Sequence, residues 1–140
     1  IVGIDLSPEM VKNAQTYHRG VEFAAMDFLK DEFEGDESRF EGIIFCSALH
    51  DMPDPILALE KATKLLQPNG VIVVLHAQGA AHVLGQVKAN PVMVRRGLPT
   101  EQELCDEICP KLSLELEVAP AEAGSPQDES EGYLAVLKLR

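Results

Sequence analysis

The sequence predicts an α/β fold that is doubly wound around a mostly parallel sheet. Short β-type runs alternate along the chain with helical patterns, which is typical of such a sheet. The run from Ile43 to Phe45 is continuously apolar, as expected for a strand that is covered on both faces. The chain has 140 residues, of which 46% are hydrophobic and 25% are charged, so it can build one core. We therefore expect a single domain over residues 1–140.

The amino-terminal part of the chain contains three predicted strands, over residues 1–4, 21–26 and 40–46. Ser7 and Pro8 begin a helix after the first strand, because serine is a good N-cap and proline fits the first helical position. Residues 31–39 form a polar, acidic connector before the third strand, and residues 47–54 form a loop after it.

The central part of the chain continues the alternation of helix and strand. A helix is predicted from Pro55 to about residue 66, because apolar residues recur there at helical spacing. The Pro-Asn-Gly turn at residues 68–70 ends this helix, and the apolar strand 71–75 follows. A further helix is expected over residues 80–88, before a loop that contains two prolines and a glycine.

The carboxyl-terminal part is predicted to end in a pair of strands. Thr100 opens a capping box with the glutamate three residues later, and the helix that it begins is expected to stop before Pro110. Residues 112–118 alternate apolar and acidic side chains, which indicates a half-exposed strand. A loop is expected over residues 119–130, and a last strand over residues 133–139.

The charge of the chain excludes some classes of partner. The formal charge is −11, from 12 basic and 23 acidic residues. Nucleic-acid binding needs a basic face, and an anionic membrane surface would repel this chain, so neither is expected. Residues 101–140 hold 3 basic and 10 acidic side chains, which favours a solvated surface over an acidic docking patch. The sequence contains no apolar window long enough to span a membrane and no signal-peptide pattern.

The cysteines indicate a reducing compartment. Cys46, Cys105 and Cys109 are an odd number without the spacing of a disulfide framework, so we expect reduced thiols in the cytoplasm. Cys105 and Cys109 stand one helical turn apart and could share a metal ion. They belong, however, to an apolar stripe, which favours core packing, and we predict no metal site.

Acidic residues follow the first two predicted strands directly. Ligands of open α/β sheets bind outside the carboxyl ends of the strands, where Asp5 and Asp27 are expected. The two oxygens of Asp5 can accept hydrogen bonds from both hydroxyls of a ribose. Asp27 can accept from the exocyclic amine of adenine, while Phe28 or Leu6 covers the ring. The pattern therefore indicates an adenosine-shaped site, although polar residues that merely end strands would give the same pattern.

Four segments in order resemble the class I S-adenosylmethionine-dependent methyltransferases. They are VGIDLSPEM at residues 2–10, FAAMDF at 23–28, FEGIIFCSALHDMPDP at 40–55 and LLQPNGVIVV at 65–74. The resemblance implies a Rossmann-like sheet of seven strands, with the last strand inserted antiparallel beside the fifth. It also implies S-adenosyl-L-methionine as the cofactor and a small molecule as the substrate, and the sequence makes no prediction of oligomeric state.

The resemblance also implies roles for individual residues. In that family, the residue at the Asp5 position binds the cofactor ribose and the residue at the Asp27 position lies beside the adenine. The cofactor-binding residues expected on this basis are Asp5, Leu6, Met10, Asp27, Phe28, Cys46 and Ser47. Cys46 and Ser47 are expected to contact the amino-acid end of the cofactor through backbone groups.

His50 is the candidate catalytic base. The stretch His-Asp-Met-Pro-Asp at residues 50–54 resembles the His-Asp-Trp-Ser-Asp stretch of plant small-molecule O-methyltransferases, in which the histidine is the base. Packing of the loop and lining of a substrate pocket are the alternative roles for His50.

The family's first strand and its glycine-rich loop are expected before Ile1, where this sequence has no residues. The strands at residues 1–4 and 40–46 would then either pair directly or receive a strand from upstream residues. We favour the second arrangement and expect these 140 residues alone to be inactive. The alternatives are a non-catalytic relic or interaction domain of the same fold, and a fragment of an NAD-dependent oxidoreductase.

Overall fold

Two sheets carry the fold, one in each of the two units into which the chain divides, Ile1–Gly35 and Asp36–Arg140. The computed structural model describes residues 1–33 and 39–140. The predicted acidic connector therefore falls partly on residues 34–38, which lie outside the described residues.

The first unit is a parallel βαβ arrangement. Strands β1 (Val2–Asp5) and β2 (Glu22–Ala25) pair in parallel, and helix α1 (Pro8–Tyr17) connects them. A helical crossover is needed because parallel strands cannot be joined by a tight turn. The two strands therefore present their carboxyl ends at the same edge of the sheet.

Helix α1 begins where the sequence predicts. The Ser7 hydroxyl oxygen accepts a hydrogen bond from the Met10 N–H at 3.3 Å, and Pro8 lies in the first turn. Val11 is buried, whereas the Met10 side chain is 55% exposed and does not belong to the core.

The second unit contains a sheet of four strands. They are β3 (Phe40–Cys46), β4 (Leu66–His76), β5 (Leu114–Val118) and β6 (Tyr133–Leu139). Their order across the sheet is β3-β4-β6-β5; β3 and β4 are parallel, and β6 runs antiparallel to both of its neighbours. The predicted antiparallel insertion of the last strand beside a parallel one is therefore confirmed.

Five α-helices connect these strands in the described part of the unit. They are α2 (Pro55–Leu65), α3 (Gly79–Ala89), α4 (Glu101–Glu103), α5 (Cys109–Leu112) and α6 (Pro126–Glu131), with a short 3₁₀ turn at Leu49–Asp51. The predicted capping box of α4 is present, since the Glu103 N–H donates to the Thr100 hydroxyl oxygen at 3.1 Å. Helix α6 lies where a loop was predicted, and the Ser125 hydroxyl caps it by accepting from the Asp128 N–H at 3.2 Å.

Strand β4 begins five residues earlier than predicted, because the Pro-Asn-Gly turn is part of the strand. The register between β3 and β4 shifts after Phe40, so residues 67–70 bulge out of the ladder. Asn69 takes the left-handed conformation there, with φ of 64°. A Cβ on Gly70 would lie 2.8 Å from the Gln67 carbonyl oxygen, so the bulge requires glycine at this position.

The helix after Thr100 continues through Pro110, contrary to the sequence prediction. A π-helical segment, Leu104–Ile108, precedes α5, and the Cys109 N–H donates to the carbonyl of Leu104. Pro110 then lies in the first turn of α5, the part of a helix that best tolerates proline. The wider turn thus lets the chain continue without a break.

The core of the second unit lies along β6 and β4. Leu137 of β6 is fully buried and pairs with Ile72 of β4 and Leu116 of β5. Leu134, on the same strand, is 43% exposed. Within the described residues, every helix is too short or too polar to cross a membrane.

Replacing Leu137 tests the placement of β6 inside the sheet. We expect Leu137→Ala to lower the free energy of unfolding by about 2–5 kcal/mol, because the substitution leaves a cavity at a fully buried position. Leu134→Ala is the matched control on the same strand and should cost less than about 1 kcal/mol. Urea denaturation measures both values, and equal losses would contradict the inner position of β6.

Candidate functional site

The two predicted adenosine-binding aspartates lie at one edge of the first sheet. Asp5 is the last residue of β1 and pairs with Ala25 of β2. The Met26 N–H donates to the Asp5 carbonyl at 3.0 Å, so the parallel ladder extends one residue beyond β2. Asp27 follows directly. The sheet therefore brings these two carboxylates to adjacent strand ends.

The Asp5 carboxylate is exposed, and only one of its two oxygens accepts a hydrogen bond. Its Oδ1 accepts a hydrogen bond from the Ser7 N–H at 2.8 Å, which orients the side chain. Among the described residues, no hydrogen bond or ion pair is found at its Oδ2. That oxygen is therefore available to a ligand hydroxyl.

The Asp27 carboxylate is more fully engaged than that of Asp5. Its Oδ1 accepts from the N–H groups of Leu29 at 3.0 Å and Lys30 at 3.3 Å, and its Oδ2 lies 3.3 Å from Lys30 Nζ. Desolvation alone would raise the pKa of Asp27, but the hydrogen bonds from Leu29 and Lys30 and the Lys30 charge lower it below its usual value. Asp27 is thus charged at neutral pH and closes the turn that follows β2.

The apolar residues predicted beside the cofactor divide into two groups. Leu6 and Met10 are exposed next to Asp5 in the chain, so their surfaces are open to a ligand. Phe28 is buried, and its ring packs edge-on against Phe33 with the centroids 5.9 Å apart. Leu6 rather than Phe28 therefore has the free surface needed to cover an adenine ring.

In the second unit, the chain turns sharply at the carboxyl end of β3. Cys46 is exposed, and the N–H of Ser47 donates to the Leu75 carbonyl at 2.8 Å. Ser47 has φ of 49°, in the left-handed region that residues other than glycine rarely occupy. Such strain is typical of functional sites, and here the hydrogen bond to β4 holds it in place.

Three histidines meet at the carboxyl ends of β3 and β4, and we call them the histidine cluster: His50, His76 and His82. The rings of His50 and His76 contact edge to face with centroids 4.8 Å apart, and those of His76 and His82 stack at 5.7 Å. His50 and His76 are buried, whereas His82 is exposed on α3. The cluster therefore runs from the interior of the unit to its surface.

His50 has one nitrogen without a hydrogen-bond partner. Its Nε2 lies 3.5 Å from the Asp51 carboxylate, while its Nδ1 is buried and finds no partner within the described part of the chain. Buried polar atoms normally have partners, so an orphaned imidazole nitrogen is an exception that calls for an explanation. A ligand proton would satisfy it.

His76 is held in its neutral form. Burial is the main cause that lowers the pKa of His76, and the nearby His50 and His82 lower it further. The negative charges of Asp51 and Asp128 oppose this effect but do not cancel it. The Gln78 N–H donates to His76 Nδ1 at 3.3 Å, which assigns the ring proton to Nε2. The second imidazole of the cluster is therefore neutral at pH 7.

Asp128 is a buried carboxylate that sequence reasoning missed. It accepts hydrogen bonds from the N–H groups of Ala80 at 2.6 Å, Ala81 at 3.0 Å and Gly124 at 3.0 Å. Burial alone would raise the pKa of Asp128, but these hydrogen bonds lower it below its usual value. The charged carboxylate thus fixes the start of α3 to the segment before β6. Ser125, three residues earlier, is an N-cap signal that predicts the start of the helix holding Asp128, but it does not predict the partners of the carboxylate.

The register of β3 and β4 explains how the histidines meet. Cys46 pairs with Leu75, so the residues that follow both strands emerge side by side. No sequence pattern connects His76 or His82 to His50, because the contact depends on the pairing of two strands. The described residues contain no group of three His, Cys, Asp or Glu side chains arranged for a metal ion.

The cysteines of the π-helical segment and α5 differ in environment. Cys109 is buried, and this burial raises the pKa of its thiol. Cys105 is exposed, so the predicted apolar stripe includes only one of the two thiols.

The described geometry defines a class I methyltransferase fold: parallel strands end in acidic and polar side chains, and an antiparallel strand is inserted at the end of the chain. A family model described as "Methyltransferase domain" matches residues 1–131. The chain therefore belongs to this methyltransferase family. None of the curated proteins matches the chain in sequence.

Solved structures share the fold at low sequence identity. A protein assigned as a methyltransferase, in complex with the Haloferax volcanii Trm112 methyltransferase activator, is 20% identical with a TM-score of 0.68, over 99% of this chain and 70% of its own. A SAM-dependent methyltransferase from Methanosarcina mazei is 14% identical with a TM-score of 0.67, over 99% and 81%. The N-methyltransferase NodS from Bradyrhizobium japonicum, in complex with S-adenosyl-L-homocysteine, is 18% identical with a TM-score of 0.65, over 99% and 65%. The chain thus spans about two thirds to four fifths of the length of these proteins.

Acidification tests the neutral state of His76. Because its pKa is lower in the folded chain than the ordinary value of 6.5, the unfolded chain binds more protons below that pH. The free energy of unfolding should therefore be independent of this group above about pH 7.5 and fall as the pH drops below 6.5 towards the folded pKa.

Urea denaturation at a series of pH values measures this dependence. His76→Phe removes the titrating group and keeps a ring of similar size, so the fall of the free energy with pH should be shallower than in the original chain. A slope in His76→Phe as steep as that of the original chain would contradict the buried neutral state.

Proposed function

We propose that the chain is an S-adenosylmethionine-dependent methyltransferase domain that acts on a small molecule. The observation that carries the proposal is the placement of Asp5 and Asp27 at adjacent carboxyl ends of parallel strands, with Asp5 Oδ2 available. Membership of the methyltransferase family supports it. So does the fold shared with NodS, which is described in complex with S-adenosyl-L-homocysteine.

The residues of the first unit fit the adenosyl part of this cofactor. Asp5 would accept hydrogen bonds from the ribose hydroxyls, and Asp27 from the adenine amine. A carboxylate has about four lone-pair sites, so Asp27 can accept a further donor while it closes its own turn. Leu6 and Met10 would cover the apolar faces, while Phe28 supports the segment from the interior. The assignment of Cys46 and Ser47 to the cofactor's amino-acid end stays a prediction.

The chemistry divides between the cofactor and the chain. When bound, the cofactor supplies a methyl group on a sulfonium leaving group, so the protein has to orient the acceptor and manage its proton. An oxygen or nitrogen acceptor has to lose that proton, and His50 Nδ1 is the buried nitrogen able to take it. Asp51, close to Nε2, would stabilise the imidazolium that results.

Removal of the Asp5 carboxylate tests the cofactor site. In a version of the chain extended upstream of Ile1, Asp5→Ala should weaken the binding of S-adenosyl-L-homocysteine by roughly 1–3 kcal/mol, because a charged hydrogen-bond acceptor is lost. Isothermal titration calorimetry measures the affinity. Glu9→Ala, which removes an exposed carboxylate from the first turn of α1, is the matched control and should bind normally. Equal affinities of Asp5→Ala and the original chain would remove Asp5 from the site.

Replacement of His50 tests the catalytic base. His50→Asn should lower the rate of methyl transfer about 10²–10⁴-fold, because no buried base then takes the acceptor's proton. Transfer of labelled methyl groups to small alcohols, phenols and amines, by versions of the chain extended upstream of Ile1, measures the rate. The loss should be largest below the pKa of the acceptor, and S-adenosyl-L-homocysteine should bind as before. A His50→Asn variant with full activity would assign His50 to loop packing.

A second candidate function is a domain of this fold that binds no cofactor. The observation that favours it is that Asp27 and one oxygen of Asp5 already accept hydrogen bonds from backbone N–H groups of the turns that follow them. Titration with S-adenosyl-L-homocysteine and with NAD separates the candidates when it is done on a version extended upstream of Ile1, where the resemblance places the first strand and the glycine-rich loop. Binding of the first supports the methyltransferase, binding of NAD supports an oxidoreductase, and no binding of either supports the interaction domain. The Haloferax protein, which is in complex with an activator, makes a protein partner the first one to seek in that last case.

A further inference from the structure

A groove of about 690 Å³ lies in the second unit, beside the start of α3 and along α4. The loop between β5 and α6 forms its other side. Its volume falls within the range of about 300–1,000 Å³ that small-molecule sites occupy. All the residues that line it belong to the second unit, so the groove does not depend on the residues proposed for the cofactor.

The walls of this groove are mainly apolar. The apolar side chains that line it include Leu84, Leu98, Pro99, Pro120, Ala121 and Ala123. Tyr133 also lines it and is buried, and its hydroxyl already donates to the Pro99 carbonyl at 2.8 Å. The groove can therefore bury the apolar body of a ligand without leaving the tyrosine unsatisfied.

Most polar groups of the groove already form hydrogen bonds within the protein. The Thr100 hydroxyl is engaged in the capping box with Glu103, and the first N–H groups of α3 donate to Asp128. The positive end of that helix is thus neutralised. The carboxylates of Glu101 and Glu122 remain, together with the Gln102 amide, and no ion pair to either glutamate is found in the described part of the chain.

The charge around the groove is one-sided. No lysine, arginine or histidine is among the described residues that line it. Residues 101–140 hold 10 acidic and only 3 basic side chains. Two of these basic side chains form ion pairs with glutamates of β5: Lys138 lies 3.9 Å from Glu117, and Arg140 lies 4.0 Å from Glu115. An anionic ligand would therefore be repelled, and a cation would be attracted.

We propose that this groove binds a small apolar molecule that carries one ammonium group. The apolar body lies against Leu84, Leu98 and Ala121, and the ammonium group interacts with the carboxylates of Glu101 and Glu122. A neutral molecule of the same shape gains only the apolar contacts, and a carboxylate of the same shape meets like charge. The site requires neither the cofactor nor methyl transfer.

Three probes of matched shape test the charge preference on the complete chain. They are naphthylmethylamine, naphthylmethanol and naphthylacetate. Titration calorimetry measures affinity, and the backbone amide signals of Leu84, Gln102 and Ala121 report where each probe binds. We expect the amine to bind about fivefold or more tightly than the alcohol, and the naphthylacetate to bind most weakly. The advantage of the amine should shrink at high salt.

Substitutions of the two glutamates test whether their carboxylates cause the preference for the amine. Glu101→Gln and Glu122→Gln should each weaken binding of the amine about two- to fivefold and leave the alcohol unchanged. Glu115→Gln, which removes an exposed carboxylate from β5 outside the groove, is the matched control and should bind both probes as the original chain does. Three results would overturn the proposal: equal affinity for amine and alcohol, an equal effect of Glu115→Gln, or no binding of the amine at millimolar concentration.

Discussion

Parallel pairing of strands determines where the polar candidate residues lie. Parallel strands emerge from a sheet at the same edge, so residues far apart in the chain become neighbours. In the first unit, the pairing of Asp5 with Ala25 brings Asp27 beside it. In the second, the pairing of Cys46 with Leu75 brings His50 and His76 into ring contact. Each unit therefore concentrates its chemistry at the carboxyl ends of one parallel pair.

Asp128 connects the histidine cluster to the groove. A buried carboxylate without a cation is costly, and this one is stabilised by three backbone N–H groups, two of them at the positive end of α3. Because α3 carries His82 of the cluster and Leu84 of the groove wall, its position sets the geometry of both. Gly79 is needed there, since a Cβ at that residue would contact the Asp128 carboxylate. The Asp128 carboxylate, through its hydrogen bonds to α3, thus helps to position both the histidine cluster and the groove.

The sequence predicted those features that depend on local interactions. The N-cap at Ser7, the capping box at Thr100 and the strand Phe40–Cys46 each follow from a few adjacent residues. The differences arise where tertiary pairing overrides local signals. The Pro-Asn-Gly turn joins β4 because β3 and β6 pair with the rest of that strand, and Pro110 is accommodated by a π-helical segment. The partners of Asp128 and the meeting of His50 with His76 depend on register, which the pattern of one segment does not contain.

The local and the ligand-binding roles of Asp5 are compatible in physical terms. A carboxylate that is free to rotate loses conformational entropy when a ligand fixes it. The hydrogen bond from Ser7 to Oδ1 restricts this rotation before any ligand arrives and leaves Oδ2 open. Asp27 is restricted in the same way by Leu29 and Lys30. Closure of the strand-end turns therefore preorganises both acceptors, so their engagement in turns lowers the cost of binding an adenosyl group.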